Sequence, residues 1–76
     1  MNSARRDRLR TARDMLEAAK QTVDMALDEE QDALDGMPEN LEYSERYCKM
    51  EDAVDALSSA SESIEEAIGL IGDAIQ

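Results

Sequence analysis

Two long stretches of the chain carry apolar residues at alternating intervals of three and four, the signature of amphipathic helices with a coiled-coil seam. The first seam reads Leu9, Ala12, Leu16, Ala19, Val23, Ala26, Glu30 and Ala33, with Met37 continuing it. The second reads Tyr47, Met50, Val54, Leu57, Ser61, Ile64, Ile68 and Ile71, preceded by Tyr43. Between them Gly36 and Pro38 interrupt the helix formers. Proline cannot continue a helix and biases Met37 away from helical geometry. Gly36 suits a left-handed C-cap. Ser3 and Ser44 are the candidate N-caps.

The pattern predicts one domain over residues 1–76, with helices at about 4–35 and 44–75 and a turn at 36–43. Folding about residue 40 superimposes the seams. Leu9 then faces Ile71, Leu16 faces Ile64, Ala19 faces Ser61, and Glu30 faces Met50, each pair of numbers summing to 80. The expected fold class is therefore all-α: an antiparallel two-helix coiled-coil hairpin.

Such a hairpin leaves half of its core open. A row of small residues beside the second seam, Ala53, Ala60, Ala67 and Ala74, would let another helix approach closely, with Met15 and Thr22 of the first helix on the same side. These six residues are the expected self-association surface. A homodimer forming a four-helix bundle follows, against the alternative of a marginal monomer that uses alanine only for helix propensity.

Composition narrows the chemistry. The chain has 76 residues, one cysteine and no histidine. An internal disulfide is excluded, and a structural zinc site lacks ligands. No metal or cofactor is expected. Cys48 reads as an ordinary helix residue, although Arg46 and Lys49 lie near it. There is no phosphate-binding glycine loop, no nucleophile–base pair, and no EF-hand glycine between Asp28 and Asp35, so an enzyme is not expected. No apolar run is long enough to span a bilayer, and no secretory signal is evident, which suggests the cytoplasm.

Net charge is −11 and uneven. Residues 1–20 carry six cations against three acids, and residues 24–55 carry twelve acids against Arg46 and Lys49. Both helix ends of the first segment oppose the macrodipole. The hairpin compensates one end by placing Arg5 to Arg13 beside Glu62, Glu65, Glu66 and Asp73, with Arg13 and Glu65 the best pair. The turn end has no such compensation. Glu30 interrupts the apolar stripe, and it either meets Lys49, turns outward, or sets register in a dimer. The carboxylates at Asp28, Glu29, Asp32, Asp35, Glu39, Glu42 and Glu45 are the candidate partner-binding surface. They form either a solvated face or a mimic of nucleic-acid phosphates that enters a basic groove. Direct binding of nucleic acid or an anionic membrane is not expected from so acidic a chain.

The turn Asp35-Gly36-Met37-Pro38-Glu39-Asn40-Leu41, followed by Ser44-Glu45-Arg46-Tyr47, resembles small acidic helical-hairpin proteins of phages and mobile elements. The resemblance covers roughly residues 24–68; the Arg-rich start and Ser58 to Ser61 fall outside the shared pattern. It implies a helical hairpin and, by class, an inhibitor of a host machine of the anti-CRISPR or other anti-defence kind. The implied partner is a host protein with a basic, nucleic-acid-handling surface. The alternative is a structural or adaptor coiled coil that binds a helical partner through its apolar face.

Overall fold

The computed structural model describes residues 1–41 and 44–76. Helix α1 spans Ser3–Asp35 and helix α2 spans Glu45–Ala74, with a short 3-10 turn at Glu39–Leu41 between them. The helices pack against each other along a rod of 59 × 14 × 14 Å. The architecture is an all-α hairpin, and the described residues contain no strand. Tyr43, expected to close the seam opposite Met37, lies outside the described residues.

The caps follow local hydrogen-bond chemistry. Asn2, not Ser3, caps α1: its Oδ1 accepts the Arg5 N–H at 2.8 Å. An amide oxygen one residue earlier reaches the third N–H of the helix, and this moves the start back. Ser44 caps α2 as its sequence position suggests, its Oγ accepting the Tyr47 N–H at 3.1 Å. Gly36 does not adopt the left-handed conformation expected of it. It stays right-handed at φ −84° and ψ −2°, and its N–H donates to the Asp32 carbonyl at 3.0 Å. The Met37 N–H then donates to Leu34 at 3.1 Å, so the helix tightens before Pro38 instead of reversing through a left-handed residue.

The seam of α2 lies where the periodicity puts it. Tyr47, Met50, Val54, Leu57, Ile64, Ile68 and Ile71 are half-buried, and Ser61 and Ile75 are each only 9% exposed. The seam of α1 does not. Leu9, Leu16, Val23, Glu30 and Met37 are half-buried as expected, but the positions between them are Arg13, Lys20, Leu27 and Leu34. The alanines expected there are turned away: Ala19, Ala26 and Ala33 are exposed, and only Ala12 is half-buried. Both choices satisfy a three-four spacing. Burying Leu27 and Leu34 removes more apolar area from water than burying Ala26 and Ala33, and at about 25 cal/mol per Å² the leucines prevail.

The register shifts with the rotation. Ser61 meets Asp24 instead of Ala19, Glu65 meets Lys20 instead of Arg13, and the Arg13 guanidinium lies over Gly72. The numbers of each pair sum to 85, five more than a fold about residue 40 requires. Glu30 and Met50 still share the wall of one depression near the turn.

The displaced alanines form a second line. Ala12, Met15, Ala19, Thr22, Ala26 and Ala33 each stand one residue before a seam residue of α1. On α2, Ala53, Ala60, Ala67 and Ala74 stand one before Val54, Ser61, Ile68 and Ile75. Ala56, Ser63 and Leu70 fill the intervening three-four positions in the same relation. One residue is about 100° of helical rotation. An antiparallel pair has an approximate twofold axis perpendicular to its plane, so the same displacement on both helices falls on one side of the hairpin. We call this side the open face.

Candidate functional site

Three regions could carry function: the acidic turn end, the polar cluster at mid-hairpin, and the open face. At the turn end, Asp28, Glu29, Asp32 and Asp35 are all exposed on the last two turns of α1, with no basic residue in its final turn. Glu39 is exposed in the 3-10 turn and Glu45 is exposed as the first residue of α2. Glu42, the seventh candidate, lies outside the described residues. The fold thus gathers the six described carboxylates at one end of the rod. Only local contacts offset them: Gln31 donates to Asp35 at 2.8 Å, and Lys49 pairs with Glu45 at 3.1 Å.

The Lys49 pairing decides one alternative for Glu30. Lys49 pairs with Glu45 one turn away, and among the ion pairs of the described residues Glu30 takes no part. Glu30 instead stands half-buried in the wall of a depression of about 380 Å³, with Glu45, Arg46, Lys49 and Met50. The only two cations of the turn end thus border the same hollow as two of its carboxylates.

The mid-hairpin cluster is absent from the sequence-based expectations. Lys20 Nζ donates to Asp24 Oδ2 at 2.8 Å and lies 3.9 Å from Glu65. The Ser61 hydroxyl donates to the other oxygen of Asp24. This is the only ion-paired crossing between α1 and α2 among the described residues. Lys20 and Ser61 together hold the Asp24 carboxyl below its usual range, the Lys20 hydrogen bond contributing most. The same hydrogen bond raises Lys20, against a smaller opposing effect of desolvation and with help from Glu65. The available sequence signal is the four-residue spacing of Lys20 and Asp24; the partner Ser61 depends on register. The expected pairing of Arg5 to Arg13 with the acids of α2 is not made. Arg10 instead pairs with Asp7 on its own helix at 2.8 Å.

The six expected self-association residues divide. Met15 is 66% exposed on the open face. Thr22 is exposed, its hydroxyl donating to the Ala18 carbonyl at 3.3 Å. Ala53, Ala60 and Ala67 are half-buried within the hairpin itself, and Ala74 is exposed. Leu70, which is not among the six, is 60% exposed in the same line. Its three-residue spacing from Ala67 is the signal that places it there.

No three His, Cys, Asp or Glu side chains among the described residues are grouped to hold a metal ion, and no described helix is long and apolar enough to cross a membrane. These features define an acidic-ended helical hairpin whose open face exposes Met15 and Leu70 among small residues. No family model matches the chain, and neither a curated protein nor a solved structure matches it.

Proposed function

We propose that this is a non-catalytic protein-binding module that occupies a basic surface of its partner with its acidic turn end. One observation carries the reading: six exposed carboxylates collect at one end of a 59 Å rod, while the cross-helix charge contacts lie at mid-hairpin. Exposed carboxylates spaced along a narrow end match the demands of a groove built for phosphates, where release of bound ions supplies much of the affinity. The partner class is a nucleic-acid-handling host protein, and the phage-type turn suggests an inhibitor of a CRISPR or other defence effector acting in the bacterial cytoplasm. In the same proposal a second copy covers the open face, giving a homodimeric four-helix bundle.

The test is charge reversal. Lysine at Asp28, Glu29, Asp32 and Asp35 should abolish capture of the partner from bacterial lysate while circular dichroism still reports a helical protein. Capture by the natural sequence should weaken steeply between about 50 and 200 mM salt, by roughly a factor of ten or more for several phosphate-like contacts. Capture that ignores both changes sinks the acidic-end reading.

The open face supports a second reading, an adaptor that binds a helical partner. It would tolerate reversal at Asp28 to Asp35 and fail instead when Ala60 or Ala67 is enlarged.

A further inference from the structure

Resting on the reading that a second copy covers the open face, we propose that the two hairpins stack antiparallel, the turn end of each lying over the helix termini of the other. The exposed area leaves room for a standard interface, and a chain that is acidic at its turn end and arginine-bearing at its start is complementary to a second copy of itself. The hairpin exposes 5553 Å². A compact protein of 8.5 kDa would expose about 4,700 Å². The excess is roughly 900 Å², close to the ~800 Å² per partner of a standard interface.

Two facing hairpins related by a twofold axis have two possible polarities. An axis along the rod would set turn end beside turn end. An axis across the rod sets turn end against open end. Charge separates them, because residues 24–55 hold twelve acids and two cations. The first polarity brings two such segments together, and the second brings each to the arginine-bearing start of the other α1.

Shape separates them in the same sense. The bulky side chains of the open face, Met15 and Leu70, are both on its terminal half, and both are exposed. Rod-axis symmetry would press Met15 of one copy onto Leu70 of the other twice at one end and leave alanine facing alanine at the far end. The crosswise axis, placed at the middle of the face near Thr22 and Ser63, lays Leu70 over Ala56 and Met15 over Glu29, and pairs Ala19 with Ala26 and Ala60 with Ala67. The two bulky residues no longer stack on each other, and Leu70 meets a small residue, as close packing requires. In this arrangement each α1 crosses the other α1, and each α2 the other α2.

Native Cys48 gives a direct readout, since it is exposed, is the only thiol, and stands near the turn end. It lies fifteen residues from Ser63, or about 22 Å along the helix. A nitroxide attached to Cys48 of the otherwise unchanged protein should therefore report a distance of about 45 Å between copies. A Thr22→Cys variant with Cys48→Ser should close an intermolecular disulfide on mild oxidation. Light scattering at tens of micromolar protein reports the mass in parallel. A dimer whose Cys48 labels lie within about 20 Å overturns the antiparallel stack and leaves the covered face intact. A dimer of the Thr22→Cys variant that fails to cross-link overturns the placement of the axis. A monomeric mass overturns the reading on which the inference rests.

Discussion

The two helices share a length and a hairpin but are built on opposite terms. Every position of the α2 seam is apolar apart from Ser61, and the two buried residues among those described, Ser61 and Ile75, belong to or follow it. The α1 seam alternates apolar residues with Arg13, Lys20 and Glu30, and α1 has no fully buried residue at all. Its termini also lack the charges that would favour an isolated helix, with no acid in the first turn and no base in the last. α2 supplies the apolar surface and α1 lies on it, fastened at mid-length by Lys20 and Asp24. A helix of this kind takes its order from its partner more than from its own residues.

The largest test of that asymmetry is truncation of the apolar side. Ile64→Ala should cost about 2 kcal/mol, the low end for a large aliphatic residue because Ile64 is only half-buried. Leu27→Ala should come close to it, since Leu27 is where the α1 seam departs from the alanine line. Thermal melts at one protein concentration measure both, and a Leu27→Ala effect near zero would return the seam to Ala26. Next come the single hydrogen bonds. Ser61→Ala removes the contact that fixes register and should cost about 1 kcal/mol. Ser44→Ala removes the α2 cap and should cost about the same. Smaller and opposite in sign is Gly69→Ala. A methyl group there meets nothing within 4 Å, and alanine suits a helix interior better, so stability should rise by about 0.5–1 kcal/mol.

The subtlest effect is on pH. Asp24 has a depressed pKa in the folded chain, so its contribution is present above the ordinary value of 3.8 and is lost as pH falls through the lower folded value. Lys20 has a raised pKa, so its contribution is present below 10.5 and is lost as pH rises through the higher folded value. The stability gap between the natural protein and Asp24→Asn should be open at neutral pH, close as pH falls through the folded value of Asp24, and narrow at high pH to the part that Ser61 supplies. A gap that stays constant from strongly acidic to neutral pH would show that Asp24 acts through packing and not through its charge.

The sequence makes α2 readable and α1 ambiguous, for a physical reason. Isoleucine, leucine and valine at Val54, Leu57, Ile64 and Ile68 leave α2 one apolar line worth burying. On α1, Leu9, Leu16 and Val23 are common to two three-four lines, one completed by Ala19 and Ala26, the other by Lys20 and Leu27. Alanine satisfies a buried or an exposed position almost equally, so counting apolar residues favours the first line while weighing their area favours the second. Register depends on the same choice. The Asp24–Ser61 contact has no place until the rotation of α1 is known. The acidic end is legible because it depends on which residues are near the turn and hardly at all on how the helices rotate.

The rod's length bears on how such a molecule would meet a charged surface. At physiological ionic strength electrostatic potentials decay over about 8 Å. A body 59 Å long spans several such lengths, so its two ends sense different surroundings at the same moment. A single hairpin with its negative charge massed at one end is an electric dipole, and a basic surface exerts a torque on it that turns the carboxylates forward before contact. Two hairpins laid antiparallel cancel that dipole and present attraction at both tips. The polarity of stacking would therefore decide whether the protein arrives aligned with one target or spans two.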